Sequence, residues 1–458
     1  MAYAEQALSA RISRRAADRL RAGHLWVYRS DIEELPDQEA AGALVTILDS
    51  RGAPLGTALY SSASEIALRL ISPEPNLTRP NYLAGLRSRI EAAIELRATT
   101  LAPEAFASRE VTASPLSIRD AHTNACRLIF SEADSLPGIV ADRYNDLVIL
   151  QLLTQGTAQE DVRRIAGEIF SAQPWCRTVV ERPDPRIREL EHLPPAPTEP
   201  LFTRQLLEPR KMPSSRAGQR SGEVEGPPRL PFVESGEDSL RSVFSLNGLH
   251  FNYNANAGQK TGAFLDQRLN YAAAARIAHG RALDICTYQG GFALHLARAC
   301  THVTGVDASR AALEIADRNL GLNQQLTPAV DWIEADAFEL LRDFSDRAAS
   351  DPTLRYDTIV LDPPAFAKSR RAASGALRGY KELNLRALKM ITPGGSLVTC
   401  SCSHHISLAD FTEVVRSAAA DAGRRVQLLE TRGAAPDHPA ILTLPETSYL
   451  KCLLLRVE

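Results

Sequence analysis

Residues 283–292 read Leu283-Asp284-Ile285-Cys286-Thr287-Tyr288-Gln289-Gly290-Gly291-Phe292. A short apolar run ends in an acid and a polar loop, and a helical pattern begins at the second glycine, which reads as a buried strand turning into a helix. Working outward, strands are expected at 281–286, 302–306, 329–334, 357–361 and 395–400. Helical patterns fill the gaps at 291–299, 309–321, 336–346 and 375–391. This alternation predicts a Rossmann-like α/β fold, a doubly wound and mostly parallel sheet with helices on both faces. A helix at 408–422 and strand-like stretches at 425–431 and 449–456 would complete it with an antiparallel edge.

Ligands of such sheets sit beyond the carboxyl ends of the strands. The first strand carries Asp284, the second ends in Gly305-Val306-Asp307, and the third runs into Glu334-Ala335-Asp336-Ala337-Phe338. Gly290 and Gly291 would let the backbone approach a ligand closely. Asp307 could accept both hydroxyls of a ribose, and Asp336 the amino group of an adenine. Each acid alone also reads as a helix cap or a solvated loop residue. Three at successive strand ends point to a nucleoside, either NAD or S-adenosylmethionine (SAM). The loop lacks the G-x-G-x-x-G that seats a pyrophosphate on a helix N-terminus. A negative charge at Asp284 suits an ammonium and a sulfonium better than two phosphates, so SAM is the expected cofactor.

The fourth strand ends in Leu361-Asp362-Pro363-Pro364-Ala365-Phe366, where two prolines make a stiff wall and a flat base could lie against Phe366. The fifth reads Gly394-Gly395-Ser396-Leu397-Val398-Thr399-Cys400-Ser401-Cys402-Ser403-His404-His405. Thiols at this strand tip, beside Asp362, suggest nucleophilic catalysis. Cytosine C5 is a poor nucleophile until a thiolate adds at C6, and Asp362 could bind or protonate N3 as that happens. Two other readings stand beside this one. The cysteines could be buried structural thiols. They could also be part of a Cys/His metal site, although C-x-C-x-H-H is too tight for common zinc spacings and no metal is expected.

The whole chain has 458 residues, a length of about three domains. With 52 basic and 55 acidic residues its net charge is −3, which excludes binding nucleic acid by bulk charge; any such contact needs a local patch. Residues 9–30 supply one, with six arginines against Asp18. Seven cysteines without a dense framework suggest free thiols in a reducing compartment. Met1 to Ala10 lacks the pattern of a signal peptide, and no apolar run reaches membrane-spanning length, so the cytoplasm is expected.

Strand-like stretches at 43–48, 54–60 and 66–71 make residues 1–75 a small β-rich unit. An amphipathic helix at 81–98, strands near 126–130, 138–142, 147–153 and 178–181, and a helix near 157–171 make 76–193 an α+β middle unit. Residues 194–240 hold nine Pro and four Gly with almost no periodicity, which reads as a flexible insertion. The α/β domain takes 241–458.

Several segments together resemble one family. They are Gly23-His24-Leu25-Trp26-Val27-Tyr28, Glu132-Ala133-Asp134-Ser135-Leu136-Pro137-Gly138, Gln259 through Arg268, the Tyr288-Gln289-Gly290-Gly291-Phe292 loop, Asp362-Pro363-Pro364-Ala365-Phe366 and Ser401-Cys402-Ser403. With them the chain resembles the bacterial class I SAM-dependent 23S ribosomal RNA cytosine-C5 methyltransferases that carry an N-terminal PUA domain. The resemblance covers nearly everything but 194–240. It implies that 1–75 is a PUA-like RNA-binding barrel, that Cys402 and not Cys400 is the nucleophile, and that Asp362, Pro363 and Phe366 complete the catalytic site. It also implies a SAM site formed by Arg268, Asp284, Tyr288, Gly290, Gly291, Asp307, Asp336 and Ala337, with Arg268 toward the SAM carboxylate.

For Arg14, Arg15, Arg21, His24 and Arg29 the resemblance implies contact with structured RNA, and the target cytosine would have to be flipped out of its stack. Ribosomal RNA is the partner implied, with no membrane and with a homodimer admitted. Where many RNA cytosine-C5 methyltransferases have a second Cys after the fourth-strand Pro, this chain has Ala365. Two rival functions remain at this level: transfer to a ring, exocyclic or protein nitrogen through Asp-Pro-Pro alone, and a non-catalytic RNA-binding assembly factor.

Overall fold

A computed structural model describes residues 8–34, 41–106, 123–204, 240–256, 263–367 and 370–458. The N-terminal unit is a six-stranded sheet of β1 (Ser9–Ile12), β2 (Trp26–Tyr28), β3 (Ile32–Glu34), β4 (Leu44–Leu48), β5 (Pro54–Tyr60) and β6 (Ile66–Ser72), in the order β2-β6-β5-β4-β1-β3. Between β1 and β2 runs α1 (Arg14–Arg21), whose N-terminus is capped by the Ser13 hydroxyl. Ala16, Ala17 and Leu20 face the core of the sheet from one side of α1. The arginine-rich stretch is therefore an ordered amphipathic helix.

The middle unit begins with α2 (Arg79–Leu96), capped by Thr78 and started by Pro80. Its sheet holds β7 (Ala125–Phe130), β8 (Ile139–Tyr144), β9 (Leu147–Leu152), β10 (Thr178–Glu181) and β11 (Phe202–Thr203) in the order β11-β10-β9-β8-β7. Helices α3 (Glu160–Ser171) and α4 (Pro185–Leu190) belong to it. The expected insertion at 194–240 needs correcting at its start: residues 194–204 are placed, because β11 pairs antiparallel with β10 and Arg182 donates to the carbonyls of Pro197 and Thr198. Residues 205–239 lie outside the described residues.

A hairpin of β12 (Arg241–Leu246) and β13 (Leu249–Asn254) follows. One apolar cluster joins Tyr144 of β8, Phe244, Phe251 and Tyr253 of the hairpin, and Tyr271 and Phe292 of the next domain. Tyr144 and Tyr253 stack with ring centroids 4.2 Å apart. The hairpin thus fastens the middle unit to the catalytic domain.

That domain opens with α5 (Arg268–Ile277), then β14 (Arg281–Ile285), α6 (Gly291–Leu296), β15 (His302–Asp307), α7 (Arg310–Gly321), β16 (Ala329–Glu334) and α8 (Ala337–Arg347). It continues with β17 (Tyr356–Leu361), α9 (Ala373–Met390), β18 (Ile391–Ser401), α10 (Leu408–Asp421), β19 (Val426–Arg432) and β20 (Lys451–Val457). The strand order is β16-β15-β14-β17-β18-β20-β19, with only β20 running antiparallel to its neighbours. The order reverses direction at β14, so the ends of β14 and β17 flank the cleft where such sheets bind ligands. Among the described residues no helix is long and apolar enough to cross a membrane.

Candidate active site

The loop after β14 is wound tightly: Cys286, Tyr288 and Gly290 have φ of 63°, 51° and 83°. Two non-glycine residues in the left-handed region need outside support. Asp284, fully buried, supplies part of it by accepting hydrogen bonds from the Thr287 hydroxyl (2.6 Å) and the Ala293 amide (2.9 Å). Asp307 supplies more, accepting from the Tyr288 and Ser309 amides at 2.9 Å each. The glycines work differently from the expectation. A Cβ at Gly290 would meet the Trp332 ring at 3.2 Å, and one at Gly291 the Tyr271 ring at 2.7 Å. They make room for protein side chains, which lets α6 pack close to α5.

A narrow cleft of about 20 Å³ lies at this switch point, walled by Phe264, Cys286, Tyr288, Gln289 and Asp362 among others. Its described lining contains no Lys or Arg. Asp284, fully buried, and Asp362, half-buried in the lining, have no cation partner among the described residues. Burial pushes the Asp284 carboxyl up to about 7, against the pull of its two hydrogen bonds. Burial, then the charges of Asp266 and Asp284, push Asp362 up to about 8. The buried Oδ1 of Asp284 has no hydrogen-bond partner among the described residues. Clustered acids, an orphaned carboxylate oxygen and no basic lining fit a cationic nucleoside ligand and do not fit a pyrophosphate. Asp307 and Asp336 stand farther along the strand ends. Asp336 Oδ1 caps α8 by accepting from the Phe338 and Glu339 amides, beside Ala337 at the first helical position.

Asp362 follows β17 and is held by Gln267, whose amide nitrogen donates to both carboxylate oxygens at 3.0 and 3.1 Å. Gln267 Oε1 accepts from Asn270 at 2.6 Å, and Asn270 Oδ1 from Arg432 at 2.9 Å. This chain fixes which end of the Gln267 amide faces Asp362. Neither Gln267 nor Asn270 was assigned a role from sequence; the only signal was that Gln267 stands in the Asp266-Gln267-Arg268 motif.

Cys402 lies just past the end of β18, half-buried, with Sγ 3.9 Å from the Pro363 carbonyl oxygen. Burial and the nearby Asp362 and Asp266 charges push its thiol up to about 11, while Lys451 pulls the other way. Lys451 is itself buried, which lowers it to about 8, and its ammonium donates to the Ser403 and Tyr449 carbonyls at 2.7 Å each. Cys400 is different. It is fully buried inside β18, directly opposite Cys452 on β20, as a packed thiol.

Two expectations fail on position. The guanidinium of Arg268 turns away from the cleft; it is 1% exposed and bonded to Glu104, Asp437 and the Leu101 carbonyl. A buried cation takes the anions within its reach, and here the buried Asp437 and the partly exposed Glu104 lie at the seam with the middle unit. Phe366 packs on Phe338 and Tyr380, with centroids 5.7 and 4.8 Å away, and lines a separate groove at the start of α9. Of the N-terminal set, Arg14 and Arg15 stay exposed on α1. Arg21 pairs with Asp49, Arg29 donates to the carbonyls of Ser61 and Ser64, and His24 Nδ1 accepts from the Trp26 amide.

Comparison with known proteins agrees with this picture. A family model described as a PUA-like domain matches residues 10–73, and one described as an S-adenosylmethionine-dependent methyltransferase matches 233–456. The chain is 33% identical over 435 residues to the ribosomal RNA large subunit methyltransferase I of Tolumonas auensis, covering 94% of this chain and 95% of that one. It is 31% identical over 436 residues to the protein of the same name from Escherichia coli, covering 95% of each. A solved structure described as "a putative sam-dependent methyltransferase from Streptococcus mutans" shares the fold, with a TM-score of 0.70 at 17% identity over 98% of this chain and 100% of that one.

Proposed function

The chain belongs to the family of ribosomal RNA large subunit methyltransferase I and is a SAM-dependent methyltransferase, and on that premise we propose that it methylates C5 of a cytosine in large-subunit ribosomal RNA. The observation that carries the reading is Cys402, half-buried at the strand tip beside Pro363 and within electrostatic reach of Asp362. A nitrogen acceptor needs no thiol there; a cytosine C5 does.

Asp284, Tyr288, Asp307 and Asp336 would hold SAM, which would supply the methyl group. Cys402 adds as a thiolate to C6 of the flipped base. Asp362, still protonated at neutral pH because burial raises it to about 8, donates to N3 and spreads the charge that the addition creates. Gln267 keeps the carboxyl aimed throughout. Once C5 has taken the methyl, the C5 proton passes to solvent, the Cys402 thiolate leaves C6 and the N3 proton returns to Asp362, which restores the aromatic ring.

The test uses ribosomal RNA from a strain lacking this gene. Cys402→Ser should abolish methyl transfer while SAM affinity stays near normal, and Cys400→Ser should keep most of the activity. A 5-fluorocytosine RNA should trap the unaltered enzyme covalently. Wild-type turnover by Cys402→Ser, or methyl groups found only on nitrogen, would overturn the reading.

A further inference from the structure

A second groove, of about 490 Å³ and open to solvent, lies between the starts of α8 and α9, lined by Phe338, Phe366, Arg371, Gly375, Arg378 and Gly379 among others. Its composition suits neither a folded core nor the cofactor cleft. Arg371 and Arg378 are exposed and have no ion-pair partner among the described residues. In sequence, residues 363–381 hold five basic residues and no acid, in a chain whose overall charge is negative.

The two glycines sit four apart on one face of α9, Gly375 in its first turn and Gly379 in its interior, where a glycine costs about 1 kcal/mol relative to Ala. They strip that face of side chains. A Cβ at Gly379 would press on the Phe366 ring at 3.3 Å, and at Gly375 the nearest atom is an Arg378 nitrogen at 3.8 Å. What remains is a shallow slot with aromatic walls and a cationic rim.

The slot is tied to the catalytic strand. The Ala367 amide and the Tyr380 hydroxyl both bond Ser403 Oγ, at 3.3 and 2.9 Å, next to Cys402. Phe366 follows Pro363 by three residues, at most about 11 Å of chain. A nucleotide adjacent to a flipped base can span that distance.

We propose that this groove binds an unstacked nucleotide flanking the target, its base against Phe338 and Phe366 and its phosphate on Arg371 and Arg378. The proposal rests on the RNA reading above and adds a substrate subsite to it. Single-stranded RNA is recognised by this combination of aromatic faces and arginines, whereas duplex RNA offers no free base face.

Fluorescence anisotropy of the full chain with a labelled 12-nucleotide single-stranded RNA and with a blunt RNA duplex tests the assignment. Arg371→Glu/Arg378→Glu should weaken single-strand binding at least about tenfold, more strongly in low salt. Phe338→Leu, which keeps an apolar side chain and removes the ring, should weaken it about fivefold to tenfold. Arg416→Glu, on the exposed face of α10, should leave it unchanged. SAM affinity should hold in all three, which also reports folding. Unchanged RNA affinity in the groove variants overturns the proposal. So does an equal loss for duplex and single strand, or a parallel loss of SAM affinity, which would make the groove an extension of the cofactor site. Each readout is independent of which atom is methylated, so failure of the cytosine-C5 reading would be seen separately.

Discussion

The reactivity of Cys402 is set by the charges around it. Burial and two carboxylates hold the thiol up near 11, and Lys451 opposes them. A neighbouring cation favours the thiolate and a neighbouring anion disfavours it. Lys451→Met should therefore raise the thiol pKa further and slow alkylation of Cys402 by iodoacetamide at pH 7, where the ammonium is still protonated, by about threefold to tenfold. Asp362→Asn should do the reverse, and only above pH 8, where the native carboxyl is ionised. Mass-spectrometric rates against a Cys402→Ser background would check both. Identical rates in the two variants would mean that the charges do not reach the sulfur. The sequence suggested the pairing of Cys402 with Asp362, because both follow adjacent strands. It could not show Lys451, which arrives from the antiparallel strand β20 opposite Ser401.

At the scale of elements, α8 poses the sharpest question, since its cap and the expected adenine contact are the same residue. Asp336 Oδ1 already accepts two helix amides. Asp336→Ala should cost about 1 kcal/mol of stability through loss of the cap. Asp336→Asn should keep the cap and the stability. If the second carboxylate oxygen takes an adenine amino group, the Asn variant should still lose SAM affinity about threefold to tenfold. Calorimetric titration beside thermal denaturation separates the two effects, and unchanged affinity in the Asn variant would leave Asp336 as a cap alone.

The large sheet was legible for the same reason that α8 was. Buried parallel strands are apolar runs, and helices between them carry a single apolar stripe. The strand expected at 302–306 is found as His302–Asp307, and the helix expected at 309–321 as Arg310–Gly321. Helix α1 was not legible, because five of its eight residues are charged and its apolar face is only Ala16, Ala17 and Leu20.

Across the whole molecule, the middle unit and the catalytic domain meet around one buried acid. Asp437, fully buried, pairs with Arg268 and accepts the Arg127 amide through its carboxylate, while its carbonyl accepts from Arg97. Burial alone would raise its pKa; the charges of His438 and Arg268 and the Arg127 amide outweigh that and hold it below the ordinary carboxylate value. A depressed carboxylate contributes stability above its unfolded pKa and loses it as pH falls through the folded one. Asp437→Asn should destabilise the protein by about 3 kcal/mol at pH 7, since it leaves a buried cation short of its partner. The gap between variant and native protein should narrow below about pH 4. Urea denaturation at pH 7 and pH 3.5 would check this, and a gap that stays constant would remove Asp437 from the seam's energetics.

The amino-acid order by itself determined the sheet, the acids at its strand ends, the thiol after the fifth strand and the choice of cofactor class. All of these depend on neighbours within a few residues or on the period of a single element. Only the tertiary structure decided where long side chains go. Arg268 leaves the cofactor for a domain seam, Phe366 leaves the cleft for the groove on α9, and Gln267 turns to hold Asp362. A flexible side chain points toward whichever buried partner the fold brings within reach, and that partner is often more than a hundred residues away, as Asp437 is from Arg268.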